Sequence, residues 1–173
     1  LGASALASVY YLAIYMLGFG FSLGLQVMIA RRNGEQRYEE TGRTFFQGLL
    51  FLSGLAMFLS LASYILSPVI LRYFIRSPEI YNAAVDYLTW RCFGLLFSFP
   101  FLAFRSFFVG ITKTRVLSWA AIMAVLINIP CNYLFIFSLN LGISGAAMAS
   151  SLAEAGSLLI LVIYTFLKMD KEN

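Results

Sequence analysis

Hydrophobic residues fall into five long runs separated by short polar breaks. The runs cover about 5–30, 44–71, 80–109, 116–139 and 144–167. Each is long enough to cross a bilayer as a helix, which takes about 20 apolar residues. The pattern predicts an all-α integral membrane protein, a bundle of five transmembrane helices.

Polar residues inside these runs are few, so each needs a physical reason. The densest group is Asn128-Ile129-Pro130-Cys131-Asn132 in the fourth run. Asn128 and Asn132 are one helical turn apart and share a face. Pro130 has no N–H, which leaves the Leu126 carbonyl without its helical donor. Two amides and a freed carbonyl predict a patch turned to protein or a water-filled cavity rather than to lipid. A bend at Pro130 would suit a helix that moves. In the fifth run, Gly145, Ala149, Ala153 and Ser157 recur every fourth position, a row that lets a neighbouring helix approach closely. The adjacent row carries Ala146, Ser150 and Glu154, and Glu154 is the only acid well inside any run. A charged carboxylate at that depth costs at least a few kcal/mol, so it is protonated, hydrated or paired.

The other runs carry weaker signals. Gly18, Gly20 and Gly24 in the first run read as close-packing positions. Gln26, near its far end, is a cavity-lining amide or an interhelical hydrogen-bond partner. Gly18-Phe19-Gly20 lacks the preceding strand and final glycine of a nucleotide fingerprint. In the third run Pro100 predicts a kink. Asp86 and Arg91 lie at the interface or on the rim of a cavity, and Arg105 closes the apolar stretch. Ser77-Pro78-Glu79 is a helix start. The break at 31–43 holds Arg31, Arg32, Arg37 and Arg43 against Glu35, Glu39 and Glu40. Asn33-Gly34 signals a turn there, and the offset charges predict a short solvated amphipathic helix.

Composition agrees with a membrane protein and removes several function classes. The 173 residues are 61% hydrophobic and 12% charged, with mean hydropathy +0.83; soluble domains are about a quarter charged. The net charge of +4 comes from residues flanking apolar runs, not from a stripe with interleaved aromatics, which argues against a nucleic-acid partner. There is no histidine, so Cys/His zinc sites and histidine catalysis have no candidates. Cys92 and Cys131 both sit in apolar runs and read as buried small residues. With one deep acid and no nucleophile beside it, the chain offers no enzyme site and no cofactor site.

Charge asymmetry sets an expected orientation. Arg31, Arg32, Arg37, Arg43, Arg105, Lys113, Arg115, Lys168 and Lys171 fall on one side of the five runs; Arg72, Arg76 and Arg91 fall on the other. The positive-inside rule puts the first group, and the C-terminus, in the cytoplasm. Leu1 is then outside with no signal peptide before it, so an earlier span is expected, making six.

Four stretches carry a resemblance. Leu1-Gly-Ala-Ser-Ala-Leu-Ala, with the glycine-rich span ending Gln26-Val-Met-Ile-Ala-Arg-Arg-Asn-Gly-Glu, resembles the second helix and exit of MATE (multidrug and toxic compound extrusion) transporters. Arg105-Ser-Phe-Phe-Val-Gly-Ile-Thr-Lys-Thr resembles the family's loop between helices four and five. Asn128-Ile-Pro-Cys-Asn-Tyr-Leu-Phe-Ile-Phe resembles helix five, and Leu141-Gly-Ile-Ser-Gly-Ala-Ala-Met-Ala-Ser-Ser the start of helix six. The resemblance implies that residues 1–173 are a partial N-terminal lobe, helices two to six of a six-helix lobe in a twelve-helix fold, with the first helix and second lobe absent. It implies export of drugs or other amphipathic organic compounds from a bacterial inner membrane, driven by Na+ or H+. By motif the family's cation site falls on Asn128, Asn132 and Ser150, with an acid on the absent first helix; Glu154 joins them as the deep acid of this chain. One branch of the family has Asp where this chain has Asn132, so less negative charge is expected here. Expected partners are the bilayer, an organic substrate, and the absent first helix and C-terminal lobe. Two alternatives remain: a flippase for lipid-linked saccharide precursors, which would need a strongly basic cavity, and a structural membrane subunit, which would not need the Asn-Pro-Asn patch.

Overall fold

The structure, a computed structural model, describes residues 2–169. Leu1 of the first motif and Asp170, Lys171 and Glu172 of the tail lie outside the described residues. Helix α1 spans Gly2–Gly34, α2 Tyr38–Phe74, α3 Pro78–Phe93, α4 Leu95–Gly110, α5 Arg115–Tyr133 and α6 Gly142–Met169. A π-turn, Leu134–Ser138, continues α5. The helices α1, α2, α5 with its π-turn and α6 are each long and apolar enough to cross a membrane; α3 and α4 do so as one span bent by 41°. The five apolar runs thus give four spans, and a fifth where the bent α3–α4 pair counts as one.

The bend in the third span is not at Pro100. It falls six residues earlier, at Gly94, between α3 and α4. Pro100 sits inside α4, which continues through it. Gly94 is also where α6 comes close. A Cβ on Gly94 would lie 2.8 Å from Glu154 Oε2, 2.8 Å from Ser151 Oγ and 3.0 Å from the Arg91 carbonyl, so its neighbours would have to shift. Pro100 contributes by removing the donor for the Leu96 carbonyl just beyond the break.

The polar break at 31–43 also differs from expectation. No separate helix forms. Helix α1 runs through Asn33-Gly34, the chain turns at Gln36 with φ of 58°, and α2 begins at Tyr38. Ion pairs brace the turn: Arg31–Glu35 at 3.0 Å, Arg37–Glu35 at 3.3 Å and Arg37–Glu40 at 2.7 Å. The predicted start at Ser77-Pro78 holds, with Pro78 in the first turn of α3.

Helix α4 is the centre of the bundle. It packs on α1, α2 and α6, and Leu95, Phe99, Leu102 and Ala103 are essentially inaccessible. Gly18 makes room for this core, since a Cβ there would meet Phe99 Cζ at 2.5 Å. Gly20 and Gly24 face open space, so only the first glycine of that run serves packing. Helix α5 lies to one side and packs mainly on α6. The predicted small-residue row is the contact: Gly145, Ala149, Ala153 and Ser157 are all buried. Ser157 Oγ donates to the Ala120 carbonyl at 3.2 Å. The π-turn follows Pro130 by one helical turn, and the Phe135 carbonyl within it accepts from the Leu141 N–H at 3.0 Å. Gly145 lets α6 start against that carbonyl, 2.9 Å from where its Cβ would be.

Candidate functional site

Helices α1, α3, α4, α5 and α6 surround a cavity of about 800 Å³ whose wall includes Tyr11, Arg91, Ser98, Asn128, Ser150 and Glu154. Each helix delivers its polar group by simple periodicity. Ser8, Tyr11 and Tyr15 lie three and four residues apart on α1, and Ser150 and Glu154 lie four apart on α6, so each set shares a face.

Glu154 is paired. Its Oε1 is 2.8 Å from Arg91 Nη2, with the two side chains 26% and 16% exposed. Its Oε2 accepts a hydrogen bond from Ser98 Oγ at 2.5 Å. Tyr11 Oη lies 3.3 Å from Ser98 Oγ. Because the single Ser98 proton goes to the carboxylate, Tyr11 is the donor in that contact. The Arg91 guanidinium carbon stands 4.1 Å from the Tyr11 ring centroid, a cation–π distance. A carboxylate at this depth is thereby compensated on both oxygens, and the formal charge of the cluster is zero. The pair also bridges two helices: Arg91 is on the last turn of α3, just before the Gly94 break, and Glu154 is on α6.

The sequence-predicted residues divide. Asn128, Ser150 and Glu154 meet on one cavity wall. Asn132 stands behind Asn128 and donates to its Oδ1 from Nδ2 at 2.7 Å, so it orients Asn128 rather than lining the cavity. Pro130 is exposed on another face of α5. Pro100 lines a separate apolar groove between α2, α4 and α6. Gln26 is not on the cavity wall, and its Oε1 is buried without a hydrogen-bond partner among the described residues. Sequence reading left Arg91 at an interface or rim and did not single out Tyr11 or Ser98. One signal pointed to Arg91: Glu154 needed a partner, and Arg91 and Arg105 are the basic residues within apolar stretches.

The wall carries several kinds of polar group. It offers amide, hydroxyl and carboxylate oxygens, a guanidinium and aromatic faces. Among the described residues no group of three or more acids, cysteines or histidines is placed to hold a metal ion.

A helical bundle with four helices able to cross a membrane, and a fifth span if the bent α3–α4 pair counts as one, around a cavity with polar groups on its wall defines a polytopic integral membrane protein. The sequence matches the MatE family over residues 1–134, and the chain belongs to that family. It is 29% identical over 157 residues to Protein DETOXIFICATION 49 of Arabidopsis thaliana, a match covering 87% of this chain and 30% of that protein. It is 24% identical over 170 residues to the probable multidrug resistance protein NorM of Idiomarina loihiensis, covering 96% of this chain and 37% of that one. Among solved structures, the outward-facing conformation of a multidrug resistance MATE family transporter of the MOP superfamily superposes with a TM-score of 0.92 at 22% identity, over 98% of this chain and 38% of that one. The eukaryotic MATE transporter AtDTX14 gives 0.88 at 21% identity, over 95% and 37%. The chain therefore spans about a third of the length of the relatives it matches.

Proposed function

We propose that this chain supplies helices two to six of one lobe of a secondary active transporter, which exports drugs or other amphipathic organic compounds in exchange for H+ or Na+. The remaining first helix and second lobe would complete the pathway, and the charge bias supports a cytoplasmic C-terminus in a bacterial inner membrane. The observation that carries the reading is the meeting of Asn128, Ser150 and the Arg91–Glu154 pair on one cavity wall.

Coupling works through that pair. A proton reaching Glu154 cancels its charge and leaves Arg91 positive in a low-dielectric setting, which weakens the tie between α3 and α6. The tie sits at the Gly94 break, where α3 and α4 already change direction, so loosening it lets the upper part of the third span move against α6. A sodium ion at Glu154 would meet the guanidinium 2.8 Å from the carboxylate oxygen. The guanidinium disfavours either cation at Glu154, but a proton needs no coordination shell, so H+ is the ion assigned to Glu154, while the Asn128 and Ser150 oxygens suit Na+ only with an anion from outside this chain. A saccharide-precursor flippase, with its basic cavity, is disfavoured because Arg91 is neutralised by Glu154.

The test is expression of the complete reading frame in a drug-hypersensitive strain, with efflux followed in everted vesicles. Expression should raise resistance to amphipathic cations, and a pH gradient should drive efflux that Glu154→Gln uncouples. Resistance unchanged by expression, or efflux by Glu154→Gln that still follows the pH gradient, would overturn the proposal.

A further inference from the structure

We infer that Ser98 is a positioning residue: once Glu154 takes up the coupling proton, the reading on which this rests, Ser98 passes the change on to the break in the third span.

Ser98 is 3% exposed and lies in the first turn of α4. Its Oγ has three polar neighbours. Glu154 Oε2 on α6 is 2.5 Å away, the Gly94 carbonyl oxygen at the break 2.9 Å, and Tyr11 Oη on α1 3.3 Å. A serine hydroxyl has one proton to give and two lone pairs to accept with. An ionised carboxylate and a carbonyl only accept, so two acceptors compete for one proton. The carboxylate wins while it is charged, because a charge-assisted bond is about twice as strong as a neutral one. The Gly94 carbonyl is left with the Phe97 and Ser98 N–H groups, at 3.0 and 2.8 Å.

Protonation turns this arrangement round. A proton on Oε2 makes Glu154 a donor there, and Ser98 Oγ is the acceptor in reach. The Ser98 proton is then free for the Gly94 carbonyl. The two lone pairs of Ser98 accept from Glu154 and Tyr11, so every member keeps a partner. One proton has entered at Glu154, and no other O–H bond has broken.

The effect on the break is one-sided. With Glu154 charged, α6 holds Arg91 on α3 and Ser98 on α4. With Glu154 neutral, the ionic hold on α3 weakens and the hold on α4 stays. Without Ser98, a neutral Glu154 would let go of both helices, and the two halves of the third span would lose their difference. Ser151 Oγ, 3.1 Å from the Trp90 carbonyl, is a second contact of α6 with α3, but it is neutral in both states. The other titratable or charged side chains on the cavity wall are Tyr11 and Tyr15 on α1 and Tyr87 and Arg91 on α3; α4 and α5 line it with none. Arg105, farther along α4, acts on Tyr15. Of these side-chain types only a carboxylate gains a proton on acidification.

The experiment is infrared difference spectroscopy between alkaline and acidic buffer, on the protein expressed from the complete reading frame and reconstituted in lipid vesicles. Efflux of ethidium, an amphipathic cation, driven by a pH gradient is measured on the same samples. Acidified wild type should show a protonated-carboxyl stretch that Glu154→Gln removes. Ser98→Ala should keep that band but move it to higher wavenumber, because the carboxyl has lost its acceptor. The same variant should slow gradient-driven efflux about five-fold, the worth of one ordinary hydrogen bond. Ser151→Ala, which removes the neutral contact of α6 with α3, should leave the band at its wild-type position. An unmoved band in Ser98→Ala, a band that Ser151→Ala displaces as far, or wild-type efflux by Ser98→Ala would overturn the role of Ser98 and leave Glu154 as the coupling group. A band that persists in Glu154→Gln, or no carboxyl band in wild type, would overturn the proposed coupling and the role of Ser98 with it.

Discussion

Removing the charge on Glu154 tests the centre of this molecule most directly. Glu154→Gln keeps the size of the side chain and its ability to accept from Ser98, so it isolates the charge. What remains is Arg91, 16% exposed and 2.8 Å from its former partner. Breaking a buried pair costs about 3–5 kcal/mol. The cavity lets water reach part of this one, so the cost falls below that range, to about 2–3 kcal/mol. Arg91→Met, which keeps an unbranched stem over the Tyr11 ring, should cost a similar amount by stranding the carboxylate. The double variant should recover most of the loss, because an apolar replacement of a buried pair is close to neutral. For a chain of this size about 1 kcal/mol moves Tm by about 2–4 °C. Each single variant should thus unfold about 5–10 °C lower in detergent, with a coupling energy above about 1.5 kcal/mol in the cycle. Additive effects within about 0.5 kcal/mol, or single shifts under about 2 °C, would refute the reasoning and leave the pair a solvated contact.

Three further outcomes follow from other parts of the structure. Gly94→Ala forces a Cβ against Glu154 and Ser151 and should destabilise by about 1–3 kcal/mol; Gly20→Ala, in open space, should stabilise by about 0.5–1 kcal/mol, and thermal unfolding that gave both the same sign would contradict the glycine assignment. Pro130→Ala and Asn132→Ala should keep wild-type protein levels yet lower efflux in the susceptibility assay, and wild-type resistance would remove both from the working machinery. The Glu35 carboxyl is held below its ordinary range by hydrogen bonds from Arg31 and then Arg37. Its contribution is therefore present above the unfolded value, about 4.3, and lost as pH falls through the lower folded one; carboxyl-carbon NMR should show Arg31→Ala raising the titration midpoint.

The sequence made the spans legible because membrane crossing is a local requirement. A run such as 44–71 announces itself by length and apolarity, whatever surrounds it. The small-residue row from Gly145 to Ser157 was equally readable, since it depends on one helix's own periodicity. The bend at Gly94 was not. Nothing local distinguishes Gly94 from Gly20; the difference is a carboxylate and a hydroxyl on α6 at the point of approach. For the same reason Pro100 drew attention that belonged to its neighbour. The polar patch was half legible: one-turn spacing put Asn128 and Asn132 on a face, but which of them meets the cavity depends on how α5 leans on α6. Arg91 and Glu154 are 63 positions apart, and only the folded chain brings them to 2.8 Å.

The link between the π-turn and α6 has a consequence for how the protein is made. The Leu141 N–H on the Phe135 carbonyl closes α5 and α6 into a hairpin, and the connecting residues 139–145 carry no charge. Moving an uncharged connection across a bilayer is cheap beside moving a lysine or arginine. The two helices are thus suited to enter the membrane together during synthesis, with Glu154 travelling beside the amide face of α5 rather than alone against lipid. Gly145→Leu would wedge the hairpin open at Phe135, and glycosylation-tagged insertion in microsomes should then fall for the α5–α6 pair. Equal insertion of the variant would mean that the two helices enter independently.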